Sequence, residues 1–172
     1  MPEPVSFAEA SAHLRLAGDT SEQALVESYI TAARKWVENY TGHVLVQREV
    51  TETHPGFGRF FDLRWQPVQA DTVTIAYTDS DGATGEVTDL TVNGRRVYPA
   101  YASWWPSTRL NTGVTLTYTA GYAPDEMVDD ERAPFRQAIL IKLTALYERR
   151  GLTDDEQRAL DSFADQYRSD WL

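Results

Sequence analysis

There is no cysteine among the 172 residues. That removes disulfides, thiol nucleophiles and thiolate metal ligands together, and it fits a reducing compartment. No apolar run approaches the roughly 20 residues that span a bilayer, so no membrane contact is expected. The opening "MPEPVSFAEA" has acids where a secretory signal has lysines, and no apolar stretch follows it. The expected place of synthesis is the cytoplasm of the producing cell. Basic charge is short as well: 26 acids face 16 lysines and arginines, a net charge of −10. The chain has no basic footprint for nucleic acid and no cationic face for anionic lipid.

Catalytic signatures are equally scarce. The three histidines, His13, His43 and His54, have no second histidine or carboxylate at a metal-binding offset within one element. Nothing in the spacing requires Asn39, His43 and Glu49 to meet, so the histidines read as surface or packing residues. The acidic runs "DEMVDDE" (125–131) and "TDDE" (153–156) lack the alternating oxygen ligands of a calcium loop. Both sit where helices start, and acids there gain about 0.3–1 kcal/mol each from the helix dipole. The stretch "GRRVYP" lacks the Gly-Lys-Ser/Thr end of a phosphate loop. No G-x-S-x-G elbow occurs, and Arg95-Arg96 reads as a solvated loop. No catalytic residue, metal or cofactor is expected.

What the chain does have is a clear change of period. Ser6-Phe7-Ala8-Glu9 is a capping box that opens a short helix through Leu14. Thr20-Ser21-Glu22-Gln23 is a second box, followed by Leu25, Tyr29, Ala32, Ala33, Trp36, Val37 and Tyr40 at helical spacing. Gly42 is the expected left-handed residue ending that helix. Then "VLVQREVTET", "FDLRW", "DTVTIAYTD", "EVTDLTVNGRRVYP" and "GVTLTYTAG" are rich in valine, threonine and tyrosine and divided by turn signals. Asp79-Ser80-Asp81-Gly82 reads as a hairpin loop, and Asn93-Gly94 as a tight type I′ hairpin. In "VTLTYT", Val114, Leu116 and Tyr118 alternate with Thr115, Thr117 and Thr119. Helical period returns with Phe135, Ile139, Leu143, Leu146 and Tyr147, after Asp130 or Glu131 as a cap, and Gly151 is the expected stop. Thr153-Asp154-Asp155-Glu156 is a third box, opening a last helix. The fold class is α+β: an N-terminal helical hairpin, an inserted antiparallel β-sheet or small barrel, and a C-terminal helical hairpin. One domain, 1–172, is expected, with a helical part (1–42), a β insertion (43–122), a core helix (123–150) and a last helix (151–172).

Two apolar features raise the question of contact. "YPAYASWWP" (98–106) places Tyr98, Tyr101, Trp104 and Trp105 between two prolines. They read as a core plug or as an interface, where aromatics are enriched. On the last helix Leu160, Phe163, Tyr167 and Trp171 form one stripe, with Arg168 beside it. It either folds back on the Phe135–Tyr147 helix or lies in a partner's groove.

Taken in order, "FAEASAHLRLAGD…EQALVESYITAARKWVENYTGHVL" (7–45), "QPVQADTVTIAYTDSDG" (66–82), "VTLTYTAGYAP" (114–124), "PFRQAILIKLTALYERR" (134–150) and the closing "ALDSFADQYRSDWL" resemble the head–tail connector, or head-completion adaptor, proteins of tailed bacteriophages. The resemblance implies a structural virion protein with no enzymatic role. Such a protein forms a ring, usually twelve-fold, beneath the portal. The ring extends the DNA channel and receives a stopper or tail protein, and its copies wait as monomers or loose rings before assembly. It makes Leu160, Phe163, Tyr167, Arg168 and Trp171 candidates for portal docking, with Tyr98, Tyr101, Trp104 and Trp105 as a second interface. An acidic channel lets DNA slide without specific binding, and Asp79, Asp81, Glu86 and Asp89 are candidates to face it. It also makes "TAGY" an architectural corner at Gly121. The rivals are a small-ligand-binding or hydrolytic domain with an aromatic pocket, and another head-completion or tail-end structural protein.

Overall fold

The computed structural model describes residues 3–16, 19–109, 112–123 and 133–167. Among the described residues there are four α-helices and seven strands, in the order helix, helix, strands, helix, helix. The chain divides into two units, residues 1–46 with 122–172, and residues 47–121.

The first unit is helical: α1 (Phe7–Leu14), α2 (Gln23–Thr41), α3 (Ala133–Tyr147) and α4 (Asp154–Tyr167). Ser6 caps α1, its Oγ accepting the Glu9 N–H at 3.2 Å. The box expected at Thr20 does not form. Gln23 N–H instead donates to the Thr20 carbonyl at 3.1 Å, and Ser21 N–H to Asp19 Oδ1 at 2.8 Å. The Gln23 N–H that a Thr20 cap would have held is thus taken by a backbone turn, and α2 starts at Gln23 behind Glu22, which makes no side-chain cap. Gly42 ends α2 at φ 75°. The stop expected at Gly151 falls earlier: α3 ends at Tyr147, and Arg149 takes the left-handed conformation at φ 53°. The Arg150 N–H then closes the end on the Ala145 carbonyl at 3.1 Å. The third box forms as expected. Thr153 Oγ1 accepts the Glu156 N–H at 3.3 Å while Glu156 Oε2 accepts the Thr153 N–H at 2.8 Å.

Val26, Ile30, Ala33 and Val37 of α2 recur every three or four residues, so one face is buried against Phe135, Ala138, Ile139 and Leu143 of α3. Ala10 and Leu160 join the same core. Within it Glu38 is 1% exposed. Its Oε1 accepts from Arg34 at 3.0 Å and from the Leu45 N–H at 2.9 Å, and Arg34 also reaches Glu3 at 2.7 Å. A buried carboxylate is tolerated only with such partners.

The second unit holds two antiparallel sheets. One has the order β1 (Arg48–His54), β7 (Val114–Ala120), β3 (Thr74–Thr78), β4 (Thr84–Val87). The other is β2 (Phe61–Asp62), β6 (Arg96–Pro99), β5 (Leu90–Asn93). They are not a closed barrel, which removes that half of the expectation. β7 alternates strictly: Val114, Leu116, Tyr118 and Ala120 are buried and the threonines between them half-buried. Its register pairs Val50 with Tyr118 and Ile75 with Leu116.

β1 begins four residues later than "VLVQREVTET" suggests, because Leu45 is drawn into the helical core. "FDLRW" pairs only through Phe61 and Asp62. The turn after β5 has positive φ at Gly94 alone, at 59°. Type I′ needs positive φ at both central residues, so this is the pattern of type II′. Gly121, at φ 109°, ends β7, and its N–H donates to the Pro67 carbonyl at 2.9 Å. A side chain is disfavoured there, so the expected corner is set by backbone conformation.

Candidate functional site

The aromatic stretch 98–106 divides into buried and exposed members. Trp105 stacks on Phe57 with ring centroids 4.9 Å apart and meets Phe61 at 5.4 Å. Its indole N–H is buried without a partner, so packing holds the ring there. Tyr98 rests on Phe60 at 5.6 Å. Tyr101 and Trp104 are 97% and 93% exposed. The turn that projects them is ordered by a hydrogen bond from Ser103 N–H to the Ala100 carbonyl, 2.9 Å, and by Ala102 at φ 61°. Both readings of the stretch thus have residues: a plug at Tyr98 and Trp105, and a free tip at Tyr101 and Trp104.

The α4 stripe faces inward along its described length. Leu160 is 1% exposed. Phe163 meets Phe135 edge-on at 5.2 Å, and Tyr167 lies 4.7 Å from Phe135 and 4.9 Å from Phe163. A partner reaches Leu160 only if α4 leaves α3. Arg168 and Trp171 lie outside the described residues.

The four acids lie on the β3–β4 hairpin and the link that follows it. Asp79 builds the loop: its Oδ1 accepts the N–H groups of Asp81 and Ala83, both at 2.9 Å. Asp81, Glu86 and Asp89 are exposed. Arg95 and Arg96 both reach Asp62 Oδ1, at 3.3 and 3.2 Å, and Arg96 also covers the Phe60 ring.

The histidines are dispersed. His13 Nε2 is 3.0 Å from Thr144 Oγ1. His43 packs against Phe135 and Tyr167, and burial pushes its pKa down. His54 lies on Phe61, with Nε2 3.6 Å from Glu52. Among the described residues no group of three or more histidine or carboxylate side chains is placed to hold a metal ion.

Sequence reasoning passed over a polar cluster in the β unit. The Tyr118 hydroxyl donates to Glu52, whose Oε1 also accepts the Arg64 N–H at 3.0 Å, and Trp65 N–H donates to the tyrosine oxygen at 3.2 Å. Burial, then the neighbouring carboxylate, pushes the Tyr118 pKa up, so the phenol stays a donor. The available signal was parity: Val50 and Glu52 share one face of β1. These bonds tie residues 64 and 65 to the sheet and have no catalytic geometry.

Residues 5–78 match the family model of the phage gp6-like head-tail connector protein. No curated protein matches the chain in sequence. Among solved structures, a chain from the neck of an empty GTA particle, with C6 symmetry, has a TM-score of 0.77 at 21% identity and covers 98% of this chain and 91% of its own. A chain from the virion of a native gene transfer agent (GTA) particle has a TM-score of 0.76 at 21% identity, over 98% and 91%. One from the neck of the native particle, with C12 symmetry, has 0.71 at 20%, over 94% and 89%. At such identities it is the fold that is shared. By its match over residues 5–78, the chain is similar, over its first helices and part of its β unit, to the phage gp6-like head-tail connector protein.

Proposed function

We propose that this protein is a structural head–tail connector of a phage or phage-like particle, located in the virion neck. The connector match over residues 5–78, joined to a neck-protein fold across nearly the whole chain, carries that reading. The family is one of structural particle proteins, not of enzymes. The rival with an aromatic ligand pocket is not favoured, because Tyr101 and Trp104 stand in solvent and wall no cavity.

In the proposed role, copies form a closed ring, as the C6 and C12 symmetry of the similar neck structures suggests. The ring sits beneath a portal and receives a stopper or tail-completion protein. Small contacts that act together in a closed ring explain why free copies stay monomeric at low concentration. DNA passes through the ring without specific binding, and the exposed acids Asp81, Glu86 and Asp89, with Asp79 at the loop, are proposed to face it. The last helix is proposed to dock on the portal through Leu160, Phe163, Tyr167, Arg168 and Trp171, the last two outside the described residues.

Deletion of the coding sequence in particle-producing cells tests the role. Expected are heads that package DNA but carry no tails, beside free tails, with full particles restored by supplying the gene in trans. Normal tailed particles from the deletion strain would overturn the proposal.

A further inference from the structure

The four-stranded sheet has two edges, β1 and β4. Every neighbouring pair in it is antiparallel, so the two edge strands run in opposite directions. In an antiparallel sheet alternate residues bond to opposite sides, and this fixes what each edge presents. The Asp79 N–H donates to the Ala83 carbonyl at 2.9 Å. Gly85 and Val87 therefore bond inward to β3, and Thr84 and Glu86 point their N–H and C=O groups outward. The same alternation, carried across β3 and β7, leaves Glu49, Thr51 and Thr53 as the outward residues of β1. Among the described residues no backbone hydrogen bond reaches these outward groups. Such an edge is a template for another strand.

A second copy of the chain offers the fitting edge. With β4 of one copy laid against β1 of another, one antiparallel sheet continues through both. One register suits the side chains. It sets Thr84 opposite Thr53, Glu86 opposite Thr51 and Val87 opposite Val50. It also brings Asp89, just past β4, level with Arg48 at the start of β1, an acid beside a base. Val50 and Val87 are half-buried and lie on the face of the sheet that holds Leu116 and Ile75, so their contact extends the apolar side. A slip of one residue sets the outward groups of one strand against inward-bonding residues of the other. A slip of two in one direction sets Glu86 against Glu49, like charges directly opposite. In the other direction it sets Val87 against Glu52, and Thr84 against Pro55, which has no N–H to give. The edges β1 and β4 are different patches of the chain. Their pairing is therefore head-to-tail, the kind of contact that closes rings and does not stop at two-fold dimers.

We propose that β4 of one copy pairs antiparallel with β1 of the next, Val87 against Val50, and that this joined sheet is a contact that closes the ring. This rests on the ring reading above. Because the chain has no cysteine, disulfide trapping tests it directly. The deletion strain is supplied in trans with the double variant Val50→Cys with Val87→Cys, and its particles are treated with a mild thiol oxidant. In the proposed register these residues form a non-hydrogen-bonded pair with Cα atoms about 4.5 Å apart, within disulfide range. Inside one copy they stand three strand spacings apart, roughly 14 Å, so any bridge joins two copies. Expected on non-reducing electrophoresis is a ladder of this chain beyond the dimer, which reductant collapses. The exposed pair Thr53→Cys with Thr84→Cys, about 5.5 Å apart, reads the same register without touching the apolar face and is expected to give the same ladder. The slipped pair Arg48→Cys with Val87→Cys, diagonal neighbours about 7–8 Å apart, is expected to stay monomeric. Circular dichroism of the purified variants checks that each folds. If both matched pairs stay monomeric while glutaraldehyde, which joins amines whatever the register, still yields the ladder, the pairing is overturned and the ring stands. A ladder from the slipped pair overturns it as well. No ladder with glutaraldehyde either overturns the ring reading, and the pairing with it.

Discussion

Trp104 and Trp105 are neighbours in sequence with opposite surroundings, and substitution separates them. Trp105→Ala removes the ring stacked on Phe57 and is expected to destabilise the β unit by about 3 kcal/mol, the low end for a large aromatic because the side chain is only half-buried. Trp104→Ala is expected to change stability by less than about 0.5 kcal/mol. Urea unfolding read by near-ultraviolet circular dichroism measures both.

Two groups of the helical unit respond to acid in separate windows. His43 is held below its ordinary pKa of 6.5, chiefly by burial, so the unfolded chain takes up a proton before the folded one does. Its contribution is complete above pH 6.5 and declines as pH falls below it. Replacing His43 with glutamine should flatten that decline. Glu156 is held at about 2, first by Arg150 and then by the Thr153 N–H. The capping box therefore survives through the ordinary carboxylate range and opens only as pH approaches 2. A titration of the Glu156 side-chain resonance follows it, and a midpoint above 4 would contradict the bonding described.

At the scale of elements, periodicity was the dependable signal and boundaries were not. Leu116 and Tyr118 announced β7 because its alternation is the physical consequence of one buried face. Val26, Ile30 and Val37 announced α2 for the same reason. The ends depended on competition among nearby groups, which spacing does not rank. The Gln23 N–H went to the Thr20 carbonyl in place of a side-chain cap, and Arg149 took a left-handed conformation before the expected stop at Gly151. The tip was half legible: four aromatics between prolines marked 98–106, but only the cross-sheet rings Phe57 and Phe61 decide that Trp105 is held and Trp104 is not.

The last helix yields an experiment at this scale. Ending the chain after Leu160 strips Phe163 and Tyr167 from Phe135 and is expected to destabilise the helical unit by about 3 kcal/mol or more. Ending it after Tyr167 keeps the described contacts of Leu160, Phe163 and Tyr167. That shorter cut is expected to keep the melting temperature and abolish portal binding if Arg168 and Trp171 dock. Undiminished portal binding would remove α4 from the docking role.

At the scale of the whole molecule, charge and symmetry make the claims. A chain of net charge −10 should show no measurable affinity for duplex DNA at physiological salt, since its net charge repels phosphate. A fluorescence-anisotropy titration with a short duplex checks this, and saturable binding would exclude a passive channel. The most direct measurement of the central claim is electron cryomicroscopy of particles from cells that encode this protein, without imposed symmetry. The account predicts a closed ring of copies of this chain in the neck, between head and tail, with each helical unit recognisable at its own position. Density for the chain elsewhere in the particle, or a neck without it, would contradict the account.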